Sequence, residues 1–77
     1  MTVSLHHFVS GNFTVLLDDA GGGVTYTGKT YPGGATDAPV WQIRRITSLD
    51  GDVAVQFAEG NDLFDKVWDA RASLNYV

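Results

Sequence analysis

Four groups of residues in this chain have types and spacings that suggest chemistry. From Gly23 to Thr30 the sequence reads GVTYTGKT. This is the G-x-x-x-x-G-K-T pattern in which backbone amides cradle phosphates while Lys and Thr reach the outer phosphates and a magnesium ion. That chemistry requires a strand leading into the loop and a helix starting at its Lys-Thr end. A strand is predicted upstream, over Phe13 to Leu17, but Tyr31-Pro32-Gly33-Gly34 comes next, and no helix can start and continue through it. Val24, Thr25 and Thr27 are β-branched and favour extended backbone. The stretch is therefore predicted to be an edge strand between two glycine turns, with no nucleotide bound. The second group is His6-His7, whose adjacent rings point to opposite faces of a strand. With no cysteine and no third histidine in the chain, no metal is expected.

The third group is Glu59, Asn61, Asp62 and Asp65. Their order lacks the alternating acids, central glycine and final bidentate Glu of a calcium loop, so they are predicted to cap a helix and form a solvated acidic face. Ser10 can be combined on paper with a histidine and an aspartate. No nucleophile-elbow sequence accompanies it, and a chain this small leaves little room for a shaped cleft. The expectation is a non-enzyme with no catalytic residue and no cofactor. Asn12-Phe13-Thr14 is a glycosylation sequon, expected to be idle without a secretion signal. The fourth group is Tyr26, Tyr31, Trp41, Arg44 and Arg45, aromatics beside bases of the kind that bind single-stranded nucleic acid or a sugar; the favoured reading makes Trp41 core and pairs the arginines with nearby acids, and Tyr26, Tyr31 and Arg44 are the candidate interaction surface. Nucleic acid is not expected: nine acids outnumber five bases for a net charge of −4, and the bases are scattered.

These groups must be held by 77 residues, enough for a single domain, 1–77, with one small core. No stretch approaches the roughly 18 apolar residues that cross a bilayer. The first residues lack the basic start and apolar run of a signal peptide. A soluble, unprocessed chain with no membrane association is expected. Met1 to Val9 and Asn12 to Asp18 flank Ser10-Gly11-Asn12 and read as a β-hairpin, Phe13, Val15 and Leu17 sharing one face of its second strand. Asp18 to Gly23 reads as a loop, Val24 to Thr27 as a short strand, and Tyr31 to Gly34 as a turn. In Val40 to Thr47 (VWQIRRIT), Trp41 and Ile43 share a face and Ile46 falls out of phase. That slip implies a bulge or burial on both faces. Asp50-Gly51 signals a tight hairpin turn before Asp52 to Phe57, where Val53, Val55 and Phe57 are predicted to point inward. Leu63, Phe64, Val67 and Trp68 recur at helical spacing, with Asn61 as N-cap, so a helix of about two turns is predicted. Ala72 to Val77 reads as a closing strand with Leu74 and Tyr76 inward. The fold class is mainly β: a small antiparallel barrel or sandwich of about five to six strands with one short helix near the C-terminus.

Two segments carry a family likeness. APVWQIRRIT and DGDVAVQFAEGNDLFDKVWDARASLNYV follow W-Q-I-[KR]-R-[IL] and then [WF]-A-[DE]-G-N-x-x-F-D-x-[VI]-W-D-x-R-A-S-L-x-Y. Tyr26, Gly28, Lys29, Pro32 and Gly33 match a preceding Y-x-G-K and P-G. The pattern resembles that of short phage-encoded proteins associated with the virion, and it covers about two-thirds of the chain, from Tyr26 onward. The resemblance implies a structural or accessory protein (capsid decoration, neck, tail or fibre-associated) with no catalytic residue to carry over. It also implies the virion, and the host cytoplasm during assembly, as its location, and other virion proteins as partners. It makes the G-K-T stretch part of a structural turn. Homo-oligomers are expected, since virion parts are symmetric and so small a domain gains stability by association. A carbohydrate or host-surface binding module is the alternative, with a host-directed protein-binding effector beside it. Trp41, Phe64, Asp65, Trp68, Asp69 and Arg71 read as scaffold. Phe64 and Trp68 would pin the helix to the sheet, and Asp65 and Asp69 would accept hydrogen bonds from Arg44, Arg45, Arg71 or backbone amides.

Overall fold

The computed structural model describes residues 12–77. The first strand of the expected N-terminal hairpin, the His6-His7 pair and Ser10 lie outside them. The described chain is mainly β. β1 (Thr14–Gly21), β2 (Val24–Thr30), β3 (Pro39–Leu49) and β4 (Asp52–Phe57) form an antiparallel sheet in the order β1-β2-β3-β4. β5 (Lys66–Val67) pairs with the beginning of β3. A 3₁₀ helix, the single one among the described residues, follows at Trp68–Ser73.

The hairpin between β3 and β4 forms where Asp50-Gly51 predicts it. Asp50 has φ 52° and Gly51 φ 87°, the paired positive values that let a two-residue turn follow the strands' right-handed twist. GVTYTGKT is a strand along nearly its whole length, but it is not at an edge. β2 lies between β1 and β3, paired to both, and runs three residues past the predicted end at Thr27. β1 likewise continues into the glycines, with a register shift between Asp19 and Gly21. Ile46 holds a regular register with both Thr25 and Val55, so its phase comes from the strand being half-buried on both faces and not from a bulge.

Cross-strand register sorts side chains onto two faces. The inner face carries Leu16, Tyr26, Gly28, Trp41, Ile43 and Arg45, and the outer face Val15, Leu17, Thr27, Arg44, Val55 and Phe57. The core lies on the inner face, where Trp41, Ile43 and Ala58 are buried beneath Trp68 and Tyr76. Gly28 makes this possible. A Cβ there would stand 2.5 Å from Trp68 Cε3 and 3.2 Å from Trp41 Cε3, so only a glycine lets the Trp68 ring lie on the strand. The two indoles meet at 5.8 Å, within the range of favourable aromatic pairing.

Three further expectations are overturned. Val53, Val55 and Phe57 do not point into the core: all three lie on the outer face, Val53 and Val55 65% and 54% exposed. Alternation fixes which residues share a face, but not which face the rest of the chain covers. No helix starts at Asn61. The Asn61 side chain does accept the Leu63 N–H, at 3.1 Å, and it also accepts the Lys66 ammonium, at 2.7 Å. The resulting turn leads into β5. Lys66 is buried against Asp65 and Asn61, an arrangement in which the buried charge is paired. Helical backbone appears only from Trp68, in the tighter 3₁₀ form. The closing strand is also absent: Ala72 and Ser73 end the 3₁₀ helix, and Tyr76 makes a lone bridge to Ala58. Leu74 and Tyr76 do turn inward.

Candidate functional site

Lys29 and Thr30, the residues that would serve a phosphate, sit on consecutive strand positions and face opposite ways. Thr30 is 1% exposed and its hydroxyl donates to the Val40 carbonyl at 2.7 Å. The geometry is that of an internal strand, without the loop and helix start that converge amides on a phosphate.

Tyr26, Tyr31 and Arg44 are not brought together. Tyr26 is on the inner face with its ring 5.7 Å from that of Tyr76. Tyr31 lies beyond the end of β2, 62% exposed, in a triangle of rings with Phe13 at 4.9 Å and Phe64 at 5.4 Å. Arg44 is on the outer face over the Phe57 ring. Phe64 thus belongs to a small aromatic cluster at one end of the sheet, and it does not pin a helix.

The arginines find partners other than those expected. Arg71 Nε donates to Asp18 on β1 at 2.9 Å, and Nη1 donates to the Trp68 carbonyl at 3.1 Å. Its guanidinium lies 4.5 Å from the Trp68 ring centroid. Arg45 donates to Gln56 at 2.8 Å and covers the Tyr76 ring. Asp69 accepts from the Thr36 hydroxyl at 3.3 Å and its own amide donates to the Thr36 carbonyl at 3.0 Å; Trp41 Nε1 donates to the nearby Ala35 carbonyl at 2.9 Å. The Asp65 carboxylate goes to Lys66. These bonds fasten the C-terminal segment and the 31–38 loop to the inner face. Tyr76 completes the lock by donating its hydroxyl to the Arg71 carbonyl at 2.6 Å. Burial, with the nearby Tyr26 adding to it, pushes the Tyr76 hydroxyl from 10.0 up to about 12.

On the outer face a depression of about 40 Å³ is lined by Val15, Thr27, Gly28, Lys29, Gln42 and Arg44. Thr27 is buried at its floor. The Lys29 ammonium lies 4.8 Å from the Phe13 ring centroid and Arg44 5.8 Å from that of Phe57. Sequence reading missed this pairing. Lys29 and Arg44 fall on one face only once β2 and β3 are placed in register. Among the described residues no three histidine, aspartate or glutamate side chains converge as a metal site requires. None of the described helices is long and apolar enough to cross a membrane. The chain matches no protein-family model, no curated protein and no solved structure.

Proposed function

We propose that this protein is a non-enzymatic structural or accessory component of a phage particle, acting through protein–protein contacts made by the outer face of its sheet. The observation that carries the contact surface is the exposure of Leu17, Val53 and Val55 on that face. Val53 and Val55 are neighbours along β4 and Leu17 lies across the sheet on β1, so apolar side chains are exposed at both margins of the face, as a binding surface requires. The phage setting rests on the W-Q-I-R-R and G-N-x-x-F-D-x-V-W-D resemblance. The partners under this reading are other virion proteins, met by the outer face, and further copies of the chain, met through other surfaces, in the virion and, during assembly, in the host cytoplasm. Mass spectrometry of purified particles tests it, and a fixed copy number per particle is the expected result. Absence from particles, together with a strict monomer in light scattering that captures no capsid or tail protein, would count decisively against it.

A second reading has one observation in its favour. Tyr31 is exposed and braced between Phe13 and Phe64, and a fixed aromatic ring is a surface on which a sugar stacks. A glycan array decides this: binding lost on Tyr31→Ala would support it, and an empty array would remove it.

A further inference from the structure

The five cations of this chain divide unequally between the two faces. Lys66 is bonded to Asp65 and Asn61, Arg71 to Asp18, and Arg45 to Gln56 on the inner face. Lys29 and Arg44 are alike in lying over aromatic rings, and neither has a carboxylate partner among the described residues. Carboxylates are not scarce, since the chain has nine. Asp19, on the same face, accepts from the Gly21 amide at 3.1 Å instead, and Gln42 at the depression donates to the Asp62 backbone carbonyl at 2.8 Å. Register places Lys29 opposite Gln42 and Arg44 opposite Thr27, so the two cations are diagonal neighbours around the depression they both line.

We infer that this depression is a docking site for a carboxylate side chain presented by an acidic, apolar-flanked segment of a partner protein. The inference deepens the protein-contact reading above and rests on it. Three features point to that ligand. A guanidinium that meets a ring and no carboxylate keeps N–H donors available, and their fork matches a carboxylate. The depression, about 40 Å³ in volume, accepts a carboxylate-sized group and not a ring. It is framed on one side by Val15 and Leu17 and on the other by Phe57 and Val55, which would bury apolar residues flanking the acid. Water excluded by those residues strengthens the ion pair at the centre. The charge pattern also selects the partner: two like faces would bring four unpaired cations together, so face-to-face self-association is disfavoured and an acidic partner surface is complementary.

The test is an amide-resolved NMR titration of the full chain with an amide-capped peptide of alternating valine and glutamate. Its valine–glutamine counterpart and sodium acetate serve as controls. The expected result is saturable shifts centred on Thr27, Lys29, Gln42 and Arg44, with binding about tenfold weaker for the glutamine peptide and for each of Lys29→Gln and Arg44→Gln. Both variants should keep the wild-type spectrum elsewhere. Equal binding of the two peptides, or shifts centred elsewhere, would overturn the site. Acetate binding as tightly as the glutamate peptide would reduce it to a simple anion site and overturn the docking role. A molecular mass that rises with concentration and falls back in Arg44→Gln would assign the face to a second copy and overturn the partner. Nuclear Overhauser contacts from Leu17 or Val55 to residues 1–11 would assign it to this chain and also overturn the proposal. Particle mass spectrometry reads the broader function separately, so a chain found in virions but indifferent to the peptide would lose this inference alone.

Discussion

The two faces of the sheet are built from the same four strands and have opposite fates. On the inner face two indoles and a tyrosine close over Gly28 and Ile43, and the charged groups nearby are tied to Asp18, Gln56 and backbone carbonyls. On the outer face the valines of β4 remain exposed, and Lys29 and Arg44 have no carboxylate partner among the described residues. The difference teaches that apolar alternation alone does not make a core. A face is buried when another part of the chain has the shape and the anchoring bonds to cover it. Here the segment from Trp68 to Tyr76 has both, and Gly28 supplies the gap its largest ring needs.

The contrast can be broken at several points. Removing the central ring is the strongest test: Trp68→Ala should cost about 3–5 kcal/mol in urea unfolding, and a loss below about 1 kcal/mol would mean the inner face is not the core. Gly28→Ala pushes a methyl into the same ring and should cost about 1–3 kcal/mol. Most of that cost should vanish in the Trp68→Ala background, because the two changes share one contact.

Alkaline titration probes the lid differently. The Tyr76 hydroxyl titrates higher in the folded protein than the ordinary 10.0, at about 12, so the unfolded chain loses its proton first. The stability this contributes is whole below pH 10 and is lost as pH rises through about 12. Between those limits the slope should be at most about 1.4 kcal/mol per pH unit. Tyr76→Phe should flatten that slope; an unchanged slope would place its origin elsewhere. The Arg71–Asp18 pair is part-exposed, so its coupling energy in a double-mutant cycle should be only about 0.5–1 kcal/mol. The smallest effect belongs to the outer face: Val55→Thr should shift stability by no more than about 0.5 kcal/mol. A loss above about 2 kcal/mol there would erase the distinction between the faces.

Much of the sheet was legible residue by residue. Asp50-Gly51 specifies its turn because few other pairs accept positive φ at both positions, and the alternation of β4 identifies which of its side chains travel together. The helix was misread for a physical reason. Four apolar residues at helical spacing are also satisfied by a turn, a two-residue strand and a 3₁₀ helix in succession. Two turns of α-helix have little intrinsic stability with which to resist that alternative, and burying Lys66 against Asn61 and Asp65 favours it. The scaffold role of Trp41 and Trp68 was legible from size and apolarity. The partners of Arg71 and Asp69 were not, since Asp18 and Thr36 are 53 and 33 residues away in sequence. The Lys29–Arg44 depression was hidden for the same reason, because it exists only once β2 and β3 are in register.

The sequence by itself determined that this protein is mainly β, where its central hairpin turns, and that GVTYTGKT is extended, because φ/ψ preferences and period-two patterning act over a few residues. Only the tertiary structure decided which face became the core, why position 28 is glycine, and which cations on the outer face have no carboxylate partner among the described residues. Those outcomes depend on contacts between residues far apart in the chain, where ring shape and charge pairing, rather than local preference, set the energy.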